Sequence, residues 1–362
     1  MAAIQDILSW RNISESIVKV ETGIPDRLPP AFSTVKEQVS GDRTTWVTFR
    51  GQRQLARRGE YATPSKSRTR RPIGEQSATC LHFPEHIKIQ HELHLRLRNP
   101  NDLLAQKMAR DLLARAGADH RTLFDNTRIA VTTLMLSLGY CYFDEDGTVL
   151  PSSSGAGLTL DYGIGANNRN QLNGIIDTSW DNPTAPIIQH ITNIKIKNRQ
   201  NTGRETKHAF YGKNIANYLF TNNTLKTYWQ FNSKMYESFA ADPGMIPKGF
   251  AGLEWHPMGD TFFDDSTDTV QQIWDNDQVT FTPEIDRNVY TLFEGSLVAP
   301  VYGAPTISGD LLGAVSNFQE VFGMGGYCVP EVDPVGLKYV MFDTFIPVWK
   351  NELDMFIADV AF

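Results

Sequence analysis

The stretch LTLDYGIGANN, Leu158–Asn168, decides between two kinds of molecule. It reads as a strand running into a glycine-rich turn. Either Gly163 and Gly165 open a loop that cradles phosphate, which would make the chain an enzyme, or they only shape a turn between strands. A dinucleotide fingerprint needs a third glycine where Asn168 stands, and a helix directly after it. The following NRNQLNGIIDTSW has no amphipathic period, and no Lys-Ser or Lys-Thr pair follows the glycines to make a P-loop. The residues favour the turn.

Upstream, ADHRTLFDNTRIAVTTLMLSLG places Phe124, Val131, Leu134, Met135 and Leu138 on one helical face, with Asp119 as N-cap and Gly139 at the position of a C′ glycine. This predicts a helix over 119–138, about 30 Å long. A separate helical piece precedes it, NPNDLLAQKMARDLLARAG, capped by Asn101 or Asp102 and ended by Gly117. Before that, His86–Arg98 (HIKIQHELHLRLR) alternates Ile87, Ile89, His91, Leu93, Leu95 and Leu97 with polar residues. Period-2 alternation predicts a long strand with one buried face. The strand-like TTWVTF lies on the far side of a polar, basic stretch, so the two strands are expected to form a long hairpin around a basic tip. Between 41 and 75 nine lysines and arginines face three carboxylates, on a chain whose net charge is −7. A cationic segment on an acidic body calls for a partner of opposite sign, either nucleic acid or another copy of the body. Tyr61 is the lone aromatic within the tip, which is thin for single-strand binding. The first 40 residues, with GIPDRLPP, read as an extended arm.

Downstream, YCYFD and LTLDYG read as short strands, NPTAPIIQHITNIKIKN and GKNIANYLFTN as helices, and the chain turns β-rich and acidic from about residue 250. FIPVWKNELDMFIADVAF reads as strand, turn and strand. Apolar residues make up 41% and charged residues 21% of 362, so the chain can build a core. No apolar run suffices for a bilayer span, the start MAAIQDILSWRN predicts no signal peptide, and Cys80, Cys141 and Cys328 form no disulfide framework.

Candidate chemistry is sparse. On one strand His86 and His94 would stand about 27 Å apart and His91 would face the other way, so with His82 they make no metal site. Asp260, Asp264, Asp265 and Asp268 lack EF-hand spacing and read as a solvated acidic loop. There is no G-x-S-x-G nucleophile elbow. No catalytic residue, cofactor or metal is expected.

Taken in order, the basic hairpin, NPNDLL, the helix ending LMLSLGYCYF, then GLTLDYGI, TSWDNPTAPIIQHI, an acidic β-rich segment and the closing FIPVWKNELDMFIADVAF resemble the lambda-type tailed-phage major capsid protein E family over roughly residues 85–362. The resemblance implies an α+β chain with the Hong Kong ninety-seven-type capsid fold. Its parts would be an N-terminal arm (1–40), an extended loop (41–98), a peripheral domain (99–171) with a spine helix (119–138), an axial domain (172–325) and a return to the peripheral domain (326–362). It implies a structural subunit that assembles as hexamers and pentamers into an icosahedral head around double-stranded DNA, held without sequence specificity. Scaffold, portal and decoration proteins are further expected partners, no membrane is involved, and assembly would take place in the host bacterial cytoplasm. Arg57, Arg58, Lys66, Arg68, Arg70 and Arg71 are the expected contacts between subunits. The alternatives are a nanocompartment shell of the same fold and a metal-dependent α/β enzyme using the loop near Asp264.

Overall fold

The computed structural model describes residues 28–49, 73–89, 103–145, 147–165, 168–169, 175–231, 244–247, 249–259, 261–264, 269–302, 315–332 and 335–362. A single turn of helix, α1 (Ala31–Thr34), leads into β1 (Lys36–Val39). The ribbon strands β2 (Arg43–Phe49) and β3 (Ile73–Thr79) follow, then β4 (Leu81–Ile89). The long helix α2 (Leu103–Leu138) precedes three short strands, β5 (Tyr140–Phe143), β6 (Val149–Leu150) and β7 (Leu158–Asp161). Helix α3 (Ile187–Thr202), strand β8 (Thr206–Tyr211) and helices α4 (Ile215–Thr221) and α5 (Asn223–Phe231) come next. The rest is mainly strand: β9 (Glu254–Pro257), β10 (Thr261–Asp264), β11 (Thr269–Gln272), β12 (Gln278–Pro283), β13 (Tyr290–Tyr302), β14 (Val315–Phe322), β15 (Gly325–Val332), β16 (Val335–Trp349) and β17 (Phe356–Asp359).

Two sheets organise the molecule. The larger runs β1-β13-β16-β15, with β14 added to β13 and β4 to β16. The smaller runs β17-β12-β8-β9 and has a core on each face. Ala209, Tyr211, Val279 and Phe281 pack on one side with Trp180, Ile187, Ile191 and Ile194. On the other side Phe210 joins Val131, Leu134 and Met135 of α2, with Tyr290 and Trp349 of the larger sheet. The apolar stripe foreseen on the helix is therefore the face it buries.

Two expectations are corrected. The helix does not stop at Gly117: α2 is one helix of 36 residues, about 54 Å long. A glycine inside a helix costs about 1 kcal/mol against alanine, and the helix formers on both sides carry the backbone bonds across it. Gly117 has no positive φ, whereas Gly139 has φ +68° and its N–H bonds the Met135 carbonyl at 3.1 Å, closing the helix as expected. The second correction concerns the hairpin. The partner of β2 is β3, with Arg43 opposite Thr79 and Phe49 opposite Ile73. The alternating segment that was to pair with it begins at β4, which pairs with β16 from Leu81–Phe345 to Ile89–Leu337. Residues 90–98 lie outside the described residues.

The opening stretch has its answer here. β7 pairs with β5, Gly163 turns the chain at φ +70°, and its N–H bonds the Asp161 carboxylate at 2.7 Å. The turn drops Tyr162 and Ile164 into the core beside α2, and the Asn168 amide donates to the Glu352 carbonyl at 2.7 Å. Gly163 serves the turn that its positive φ makes.

Candidate assembly site

The ribbon β2–β3 leaves and rejoins the larger sheet at one corner. At Gly41 the chain turns with φ +86°, a conformation that suits glycine. Its N–H bonds Ser296 Oγ at 2.6 Å, and the Ser296 N–H returns to the Gly41 carbonyl at 2.9 Å. Ser40 and Ser296 hydroxyls both donate to Glu320 Oε1 at 2.6 Å, and these bonds hold the Glu320 carboxyl below its ordinary value. On the returning side the Cys80 N–H bonds the Asp42 carbonyl at 2.6 Å. Gly295 lets the two chains meet: a Cβ there would stand 2.9 Å from Thr344 Cγ2 and 3.0 Å from Cys80. Beyond this root, β2 and β3 pair only with each other among the described residues. Trp46 rests with Val39, Ala78 and Leu160 against Phe293, Ile346 and Val348.

Behind the root, a polar network joins the spine helix to the larger sheet. Arg128 of α2 grips Asp343 of β16 through two bonds of 2.6 Å, from Nε and Nη2, and reaches Glu294 of β13 through Nη1 at 3.0 Å. Lys36 of β1 meets the same Glu294 oxygen at 3.0 Å. Asp343 is fully buried. Burial alone would raise the Glu294 carboxyl, but Arg128 and Lys36 outweigh it and hold it below 4.5. At the C-terminal end of α2, Thr280 donates to the Leu136 carbonyl at 2.9 Å, Gln278 to Ser137 and Arg169 to Leu138. Carbonyls that the helix leaves without partners are thus met by side chains from the smaller sheet and the segment after β7.

The six expected contact residues, Arg57, Arg58, Lys66, Arg68, Arg70 and Arg71, lie outside the described residues, between the ends of β2 and β3. So do His91, His94, Asp260, Asp265 and Asp268. His82 bonds Thr344 Oγ1 at 2.9 Å, and Asp264 ends β10. Three constellations escaped the sequence reading. The Arg128 network joins residues 215 and 166 positions apart, which no local pattern announces. Trp180 donates to His190 Nδ1 at 3.2 Å while His190 Nε2 meets Asp177 at 2.8 Å, fixing the TSWDN turn against α3. His208, Glu254 and His256 draw together on the smaller sheet. Burial lowers the imidazole of His208, and burial together with His208 takes His256 down to about 4. The alternation Glu254-Trp255-His256 could have shown two of these on one strand face, but only the pairing of β8 with β9 adds the third.

A spine helix against a sheet, a tethered two-stranded ribbon and a second sheet with a core on each face define a shell-building subunit of the Hong Kong ninety-seven-type capsid fold. Two solved structures share the fold. One is a phage-related protein from Bordetella bronchiseptica RB50, 10% identical, covering 98% of this chain and 97% of that one with a TM-score of 0.56. The other is assigned as a prophage capsid protein from E. coli CFT073, 10% identical, covering 98% and 99% with a TM-score of 0.54. The family described as phage major capsid protein E matches residues 25–293, and the chain belongs to it. No curated protein matches the sequence. The chain is a major capsid protein of a bacteriophage, a structural component of the virion that assembles with its own kind into a shell, and not an enzyme.

Proposed function

We propose that copies of this chain join as hexamers and pentamers of an icosahedral head, and that the tip of the β2–β3 ribbon makes the decisive contact by laying its cations on an acidic surface of the next copy. The observation that carries this is the ribbon itself. Two strands with no third partner are marginal in water and leave open edges; among the described residues this ribbon has no third strand, yet both its strands are fastened at the root by Gly41, Ser296, Glu320 and Cys80. A firm root, with Trp46 and Ala78 seated on the larger sheet, under a ribbon whose edges are open among the described residues suits an element completed by a neighbour. Each exposed ion pair contributes about 0–1 kcal/mol, and a shell repeats it many times.

In this reading 1–40 is the arm, the β2–β3 ribbon with the residues between its strands is the extended loop, α2 and the larger sheet belong to the peripheral domain, and α3 and the smaller sheet belong to the axial domain. The inner face meets packaged double-stranded DNA without reading its sequence. Scaffold, portal and decoration proteins attend assembly in the host bacterial cytoplasm. The membership of the phage capsid family favours a genome over the protein cargo of a nanocompartment. The test is charge reversal: with Arg57, Arg58, Lys66, Arg68, Arg70 and Arg71 all changed to Glu, the subunit keeps its circular dichroism spectrum and melting temperature but forms no shells in negative-stain micrographs. Normal shells from that variant would refute the contact.

A further inference from the structure

Among the described residues β9 is the edge strand of the smaller sheet, parallel to β8, with His208 opposite Glu254 and Phe210 opposite His256. Alternation along a strand puts His208 and Phe210 on one face, and Glu254 and His256 on the same face of the neighbouring strand. His208 Nδ1 lies 3.2 Å from His256 Nε2 and 3.3 Å from Glu254 Oε2. One ligand atom from each of the three residues falls within 4.8 Å of the others. The His208 side chain is 8% exposed and that of Glu254 69%, so the group faces inward on one side and water on the other. The His256 ring is held flat against Phe210, centroids 5.1 Å apart.

How these groups bond one another depends on the tautomer of His208. A neutral imidazole carries one N–H and one lone pair. If His208 Nδ1 holds the hydrogen, one hydrogen is shared between a ring nitrogen and a carboxylate oxygen. If it does not, its lone pair faces that of Glu254. A cation at the centre would satisfy all three groups. Zinc binds imidazole nitrogen at about 2.0–2.1 Å and carboxylate oxygen at about 2.0–2.2 Å, which sets neighbouring ligand atoms of a tetrahedron about 3.3–3.4 Å apart. The separations of 3.2 and 3.3 Å lie close to two of those edges, and the exposed carboxylate can swing to complete the third. Glu284, the next carboxylate along the sheet, is engaged by Lys207.

We propose that His208, Glu254 and His256 bind a divalent transition-metal ion of the zinc class, with water in the fourth position. Two nitrogen ligands and one oxygen favour such an ion over magnesium or calcium, which take all-oxygen shells. The ion pins the edge strand β9 to β8. Because it binds the folded chain, it stabilises the subunit by mass action.

The full chain, stripped with a chelator and dialysed, is titrated with Zn²⁺ by calorimetry, and in parallel with Co²⁺, whose visible absorption reports its coordination. The expected result is one ion per chain, not displaced by excess Mg²⁺, with a higher melting temperature. His256→Ala weakens binding about 100-fold or more, since loss of supporting residues alone costs 10–100-fold. Glu254→Gln weakens it about tenfold or more, and this exposed position keeps the test valid should His256→Ala fold poorly. The proposal is overturned if the wild type binds no Zn²⁺, or if Glu254→Gln and a folded His256→Ala bind it as tightly as the wild type.

Discussion

Arg128 and Glu320 each tie together segments that lie far apart in the sequence, but in opposite settings. Around Arg128 everything is sealed: the guanidinium is bonded to two carboxylates, one of them wholly buried, and lies 5.2 Å over the Phe345 ring. Around Glu320 the carboxylate is exposed and holds two serines at the foot of a ribbon that has no further strand beside it among the described residues. The first junction fuses spine helix and sheet into one unit. The second fixes where the ribbon starts and ends and leaves the ribbon itself to be covered by something else. On the proposed reading a capsid subunit uses both, a body that holds its shape through assembly and a reaching element that a neighbour covers.

The sharpest way to break the comparison is at Arg128. Arg128→Met leaves the buried Asp343 without its cation and Glu294 with Lys36 alone, and the expected loss is about 3–5 kcal/mol in urea denaturation. The double variant Arg128→Met with Asp343→Leu recovers much of that, because the buried charge goes with its partner. The pH dependence sharpens the same point. Glu294 is held below its ordinary value of 4.5. Its contribution to stability is therefore full above about pH 4.5 and is lost as pH falls through the lower folded-state value. Urea midpoints measured down the acid range show this fall in the wild type, and a smaller one in Arg128→Met.

Smaller effects separate the two glycines of the spine helix. Gly139→Ala forces a left-handed backbone on alanine and sets its Cβ 2.9 Å from Ile164 Cδ1, with an expected loss of about 1–2 kcal/mol. Gly117→Ala meets no atom within 4 Å and needs no positive φ, so it gains about 0.5–1 kcal/mol. Melting curves of the two variants should move in opposite directions.

These glycines also show what the sequence could reveal. Each follows a leucine-rich helical stretch, so each resembles a stop. What distinguishes them is what comes next: Gly139 is followed by the β-prone YCYF, while Gly117 is followed by ADHRTLF, which continues the helix. The apolar stripe of α2, helix α3 and the final strands were legible because burial imposes a period. The strand β3 was not, because IGEQSAT has no alternation and contains a glycine. The better-patterned β4 drew the hairpin to itself, although its pattern records pairing with β16, more than two hundred residues away. The basic segment between β2 and β3, which lies outside the described residues, was read from composition alone. Neither the ion network around Arg128 nor the gathering of His208 with Glu254 and His256 could be seen without the sheet pairings that bring them together.

Hydrogen exchange tests the contrast between body and ribbon most directly. Amides of β2 and β3 are followed in the free subunit and in assembled shells, with those of β13 and β16 as reference. The account predicts that the sheet amides are protected in both states, whereas the ribbon amides exchange rapidly in the free subunit and become protected on assembly. Ribbon protection that is equal before and after assembly would contradict it.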